Sequence, residues 1–178
     1  MVTKHGLTAE EYLALPEEKP YLEYVRGEVM PKMAPDRNHA GLAGELSYRL
    51  GQYRHEHGGF FGPEGRVGFL EPADMRFLLP DVAYWAPGRD VGERILTPPT
   101  LAIEIRSTDQ AIAGLREKCR YYRQHGVDVC WLVDPMTRTV EVFEDETDGR
   151  SARPGELIES RHLPGFRLSV SELFTVID

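Results

Sequence analysis

Apolar and polar residues alternate along this chain with two periods, and the periods mark out its elements. Thr8 and Glu11 have the Thr-x-x-Glu spacing of a capping box, so residues 8–15 read as a short helix that Pro16 stops. YLEYVRGEVMPKM, residues 21–33, reads as a β-hairpin with Arg26 and Gly27 at the turn. Leu42, Leu46, Leu50 and Tyr53 then recur at helical spacing, with Asn38 placed to cap that helix and Gly58-Gly59 to end it. Strand candidates follow in GRVGFL (65–70), MRFLLPDVAYW (75–85) and TLAIEIRS (100–107). A second helix spans residues 111–125 and closes at Gly126. VDVCWLVDP and RTVEVFEDE read as strands joined by a proline-containing turn, and LPGFRLSV leads to a last short helix, SELF.

Strands and helices alternate only in part, and the hairpins require antiparallel pairing. The expected class is therefore α/β, a mixed sheet with helices against its faces. The 178 residues show no repeat and no linker, so residues 1–178 are expected to form one domain. At 41% hydrophobic and 28% charged the composition is globular. The 21 Lys and Arg against 29 Asp and Glu leave a formal charge of −8, which excludes coating nucleic acid by bulk charge but not gripping a few phosphates locally. No apolar run approaches the ~20 residues of a membrane span, and MVTKHGLTAEEY is not a signal peptide. Cys119 and Cys130 lack metal-type spacing; they are expected to be free thiols in a reduced, cytoplasmic protein.

Polarity is out of place at one point. In LAIEIRSTD, Leu101, Ala102, Ile103 and Ile105 make the apolar run of a buried strand, and Glu104 sits in its middle. An ionised carboxylate there loses its hydration unless partners replace it. Asp81, after Pro80, stands 23 residues before it, and Lys118 stands 14 residues after it on the second helix. Leu115, Cys119 and Tyr122 mark the packed face of that helix; Lys118 borders it, while Arg116, Arg120 and Arg123 fall elsewhere and read as solvated. Two carboxylates on neighbouring strands beside an ammonium can bind Mg²⁺ (or Mn²⁺), with the Ile105 carbonyl and waters completing the shell. Such an ion polarises a phosphoryl oxygen and activates a bound water, which the lysine orients or whose developing charge it stabilises. Each residue also has a simpler reading: Glu104 on a solvent face or paired with one arginine, Asp81 in a Pro-Asp turn, Lys118 as a solvated helix lysine. Only their combination points to chemistry.

The same residues carry a resemblance. LPDVAYW resembles the Pro-Asp strand of the Uma-two family, a restriction-endonuclease-type family of the PD-(D/E)XK nuclease superfamily. LAIEIRS resembles its Glu strand, and EKCRYYRQHGVDVCWLVDP its Lys helix, Gly-Val turn and Trp-containing strand. YLEYVRGEV is similar to its N-terminal Tyr-Glu-Leu-Ile-Asp-Gly-Glu pattern, and His39 and LPGF match as well, so that the similarity spans residues 5–176. The resemblance implies a restriction-endonuclease-like fold, a mixed central β-sheet flanked by α-helices, with Asp81 and Glu104 as metal ligands. The superfamily lysine usually follows the acid by two residues, where Arg106 stands here; arginine cannot act as a base but can hold a phosphate. The resemblance moves that lysine role to Lys118. It also implies Glu23 as an acid near the site, holding a second metal or a water, and His39 as a contact to substrate. The chain departs from the family pattern at Ser107-Thr108-Asp109, where Ser-Pro-Ser is usual, and at Gly114, where an acid is usual.

Other features weigh less. His55 and His57, two apart on a helix, point apart and read as a solvated helix end; EVFEDETDGRS reads as a solvated acidic loop. No Gly-rich phosphate loop or Gly-x-Ser-x-Gly elbow is present. The reading is a Mg²⁺-dependent endonuclease hydrolysing phosphodiester bonds of DNA, expected as a homodimer because two strands need two sites. The alternative is a nuclease-fold protein, weakly active or inactive, that serves as a binding or assembly module.

Overall fold

The computed structural model describes residues 5–145 and 149–178. Helix α1 (Ala9–Leu13) starts at Thr8, whose hydroxyl accepts from the Glu11 N–H while the Glu11 carboxylate accepts from the Thr8 N–H, both halves of the capping box. Strands β1 (Leu22–Val25) and β2 (Glu28–Pro31) pair across Arg26-Gly27. Both loop residues have positive φ, 50° and 90°, the turn whose twist matches that of the strands. Helix α2 (Arg37–His57) comes next. Its cap is Asp36, which accepts from the His39 N–H at 2.9 Å, and not the expected Asn38. Gly59 (φ 86°) lies where a Cβ would fall 2.4 Å from the Trp85 carbonyl oxygen, so only glycine lets α2 turn directly into β3 (Phe60–Pro63). That strand was not expected: FFGP is short and ends in proline.

β4 (Val67–Phe69) and β5 (Arg76–Leu78) join the hairpin in a four-stranded sheet of order β2-β1-β5-β4, with Tyr12, Tyr24, Val29 and Phe77 as its core. β6 (Val82–Trp85), β7 (Leu101–Ile105), β8 (Val129–Asp134), β9 (Thr139–Phe143) and β10 (Arg150–Ala152) join β3 in a six-stranded sheet of order β10-β9-β8-β7-β6-β3. Among the strands of the described residues only β7 and β8 pair in parallel, and α3 (Ile112–Gln124) is the crossover such a pair requires. Every residue of β7 and β8 is buried, as befits strands covered on both faces. On one face Leu42, Leu46 and Leu50 of α2 pack with Leu101, Ile103 and Ile105. On the other, Leu115, Cys119 and Tyr122 of α3 pack with Ala83, Ala102, Cys130 and Leu132. β11 (Leu157–Ile158), β12 (Leu168–Ser169), α4 (Val170–Phe174) and a 3-10 turn complete the chain. This is the expected α/β fold, a mixed central sheet flanked by helices.

Three expectations are corrected. MRFLLPDVAYW is not one strand: β5 and β6 lie in different sheets, and the chain crosses between them at Leu79-Pro80, where proline offers no ladder N–H. EVFEDETDGRS is not simply a solvated loop, since β9 and β10 pair within it; its residues 146–148 lie outside the described residues. The α3 arginines are not simply solvated: each has a partner, although the Arg116 side chain stays 42% exposed. Arg116 forks onto Glu141, Arg123 donates to the carbonyls of Val127 and Glu144, and Arg120 is half-buried with a partner too. Both cysteines are buried free thiols. Among the described residues no helix is long and apolar enough to cross a membrane.

Candidate active site

β6 and β7 are antiparallel, so the start of β6 and the end of β7 meet at one end of the large sheet. The Asp81 N–H donates to the Ile103 carbonyl at 2.9 Å and carries the ladder one step past β6. Strand alternation then sets Asp81 on the face of Ala83 and Trp85, and Glu104 on the face of Ala102, which is the face that α3 covers. The two acids share a face for that reason.

Asp81 is buried and fully engaged. Its Oδ2 accepts from the Ile105 N–H at 2.6 Å and lies 3.1 Å from His39 Nε2; its Oδ1 lies 2.8 Å from Lys32 Nζ. Burial alone would raise this carboxyl, but the His39 and Lys32 contacts outweigh it and hold Asp81 below the usual carboxylate range. Burial likewise opposes charge on His39, and the Asp81 bond and charge prevail and raise it. His39 is placed by the first turn of α2, which Asp36 caps; Asp36 also accepts from the N–H and hydroxyl of Thr108 at 3.1 and 2.9 Å. The segment after β7 that departs from the family pattern thus ties the helix bearing His39 to the strand bearing Glu104.

Glu104 is held differently. Oε1 accepts from the Tyr122 hydroxyl at 2.8 Å and lies 3.0 Å from Lys118 Nζ, and Oε2 accepts from the same ammonium at 3.1 Å. Burial pushes the Glu104 carboxyl up to about 7; Lys118 opposes that rise and Asp81 adds to it. Burial and the neighbouring Glu104 also raise the Tyr122 phenol well above its ordinary value. Lys118 Nζ reaches Glu23 Oε1 as well, at 2.7 Å. Burial disfavours the Lys118 charge, but Glu104 and Glu23 outweigh it and hold the lysine protonated above its normal range.

Glu23 and Lys32, from the β1–β2 hairpin, grip the crossover between the sheets. Glu23 Oε1 accepts from the Leu79 N–H and Lys32 Nζ donates to the Leu79 carbonyl, each at 2.8 Å. The structure therefore brings together Glu23, His39, Asp81, Glu104, the Ile105 backbone and Lys118. It does not bring Arg106, whose guanidinium bonds Asp134 Oδ2 and the Gln110 carbonyl, each at 3.0 Å. Sequence reasoning missed Lys32, whose partners lie 47 and 49 residues away and leave no local signal. It took Tyr122 only as packing, although its place four residues after Lys118 put it on the same helical side. Gly114 is not required by sterics: a Cβ there would meet nothing within 4 Å.

The donors suit a hard divalent cation. Carboxylate oxygens are the donor type such an ion takes, and burial, which lifts the Glu104 carboxyl to about 7, is a cost that a neighbouring cation would offset. Among the described residues no three His, Cys, Asp or Glu side chains are grouped so as to hold a metal ion by themselves; the carboxylates instead face two ammonium groups.

Comparison with known proteins agrees with this architecture. A crystal structure of a "putative nuclease belonging to DUF820" from Anabaena variabilis superposes with a TM-score of 0.83 at 25% identity, covering 96% of this chain and 99% of that one. The protein is thus of the restriction-endonuclease-like class. More particularly, the chain belongs to the Uma2 family, described as "Putative restriction endonuclease", whose model matches residues 9–171. No curated protein matches it.

Proposed function

We propose that the protein is a Mg²⁺- or Mn²⁺-dependent endonuclease that hydrolyses phosphodiester bonds in DNA. One observation carries the reading: Asp81 and Glu104 stand on one face at one end of the sheet, with Lys118 bridging Glu104 to Glu23. Asp81, Glu104 and the Ile105 carbonyl are the ligands we assign to the cation. When bound it would polarise the phosphate and acidify a water.

The chain's own residues do the rest. His39, Lys32 and the Ile105 N–H fix the Asp81 carboxylate in its charged form. Tyr122 and Lys118 orient Glu104. Because its pKa is raised, Lys118 acts as an ammonium and not as a base: it orients the attacking water and offsets charge developing on the phosphate. Glu23 Oε1 is taken by Lys118 and Leu79, which leaves Oε2 to accept from a water. Arg106, tied to Asp134, has no part.

The test is nicking of supercoiled DNA with Mg²⁺ and with Mn²⁺. Wild type should nick, Glu104→Gln should not, and Lys118→Ala should be slower by ~10²-fold or more, as for loss of a group that acts mainly in the transition state. No nicking by wild type would favour the binding-module alternative, and equal nicking by all three would remove the chemistry from these residues.

A further inference from the structure

A cavity shares Lys32 with the carboxylate cluster. It measures about 320 Å³, within the range of small-ligand pockets, and is framed by two segments that flank the β1–β2 hairpin. Pro20 and Tyr21 approach β1, Met33, Ala34 and Pro35 leave β2, and the Lys32 N–H to Tyr21 carbonyl bond (2.7 Å) joins the two segments at its edge. The walls are mainly apolar. Its charged lining is Lys19, whose ammonium lies 5.4 Å from the Tyr21 ring centroid, Lys32, and Glu64, which is 3.9 Å from Lys32 Nζ. Lys32 faces both ways, since the same Nζ sits 2.8 Å from Asp81 Oδ1. The cavity therefore shares one side chain, Lys32, with the proposed active site.

We propose that this cavity takes an unpaired nucleobase of the strand being cut, so that the substrate is DNA with an unstacked nucleotide at the scissile phosphate and not a perfect duplex. The inference rests on the nuclease reading above. An aromatic ring for a base to stack on (Tyr21), apolar walls and an ammonium, that of Lys19, in the lining are the parts that bind unpaired nucleotides. The overall charge fits as well. At −8 the protein is poorly equipped to neutralise both backbones of a long duplex, whereas holding one extruded nucleotide needs only a local cation, Lys19. Glu64 lies on the rim and repels phosphate, which favours the base and not the backbone as the occupant.

The experiment is fluorescence anisotropy in EDTA, and again in Ca²⁺, with three labelled probes: a single-stranded 12-mer, the same sequence as a perfect duplex, and the duplex with one mismatched base. The single strand and the mismatched duplex are expected to bind at least about tenfold tighter than the perfect duplex at equal salt. Tyr21→Ala should remove about tenfold of that affinity and leave perfect-duplex binding within twofold. Ala34→Phe, which fills the cavity from an exposed rim position, should do the same without removing any buried group. Equal binding of all three probes, no binding of any, or single-strand binding unaffected by both variants would overturn the proposal. Nicking by wild type separates the two readings. Nicking without a preference for unpaired DNA refutes the cavity and leaves the nuclease; the preference without any nicking refutes the nuclease and leaves a single-strand binding site.

Discussion

Replacing Lys118 by methionine is the sharpest test of how the site is held together. The ammonium lies 2.7 Å from Glu23 and 3.0 Å from Glu104, and the three side chains are only 17%, 15% and 4% exposed. Lys118→Met keeps the stem's bulk, removes the charge, and leaves two buried carboxylates without it. Breaking a buried pair from one side typically costs ~3–5 kcal/mol. The cost must depend on pH. Glu104 titrates near 7 in the folded protein, above its ordinary value of 4.5, so its protonated form contributes stability that is complete below 4.5 and lost as pH rises through 7. Already in wild type that loss is about 3 kcal/mol, at ~1.4 kcal/mol per pH unit. Without Lys118 the folded pKa moves higher still, and the loss continues to higher pH. The variant should therefore lie nearer to wild type at pH 5, where Glu104 is protonated and the lost Glu23 contact sets the difference, and fall about 3–5 kcal/mol below it at pH 8, roughly 10 °C in Tm for a chain of this size. Urea unfolding of both proteins at pH 5, 6, 7 and 8 reads this directly. Adding 10 mM Mg²⁺ should restore part of the loss, because a bound cation supplies the missing charge. A stability difference of equal size at pH 5 and pH 8 would refute the reasoning, since it would mean that lost packing or the Glu23 contact, and not the charge on Glu104, sets the cost.

Further outcomes follow from the same geometry. Calorimetric titration with Mn²⁺ in two buffers of different ionisation enthalpy should show proton release near pH 6.5 and affinity that rises up to about pH 7, as Glu104 must ionise to bind; Asp81→Asn should abolish the heat. Tyr122→Phe removes one hydrogen bond to Glu104 Oε1, should cost about 1–2 kcal/mol in urea unfolding, and should move the pH midpoint of metal binding upward. Asp36→Ala removes both the α2 cap and the tie to Thr108, and should lower stability by about 1–2 kcal/mol.

Local elements were legible because their causes are local. The Thr8 capping box, the Arg26-Gly27 hairpin turn, the Leu42-Leu46-Leu50 stripe and the glycine stops each act over a few residues, and the structure realises them. The alternation of LAIEI, with the wheel position of Lys118, was enough to point Glu104 and Lys118 at one another across the α3–β7 interface. Failures began where a residue's partner lies far along the chain. Nothing near Lys32 announces Asp81, and nothing near Glu23 announces Lys118, 95 residues away. Arg106 stands where a catalytic cation is usual, yet Asp134 on the neighbouring strand takes it. The segment from Met75 to Trp85 has strand chemistry throughout, and it divides between two sheets at Leu79-Pro80, where Glu23 and Lys32 hold the Leu79 backbone. Propensity and periodicity set what each segment can become. Which buried charge meets which was decided only by tertiary structure, because a carboxylate removed from water is stabilised by whatever cations the folded chain brings within about 3 Å, regardless of their distance in sequence.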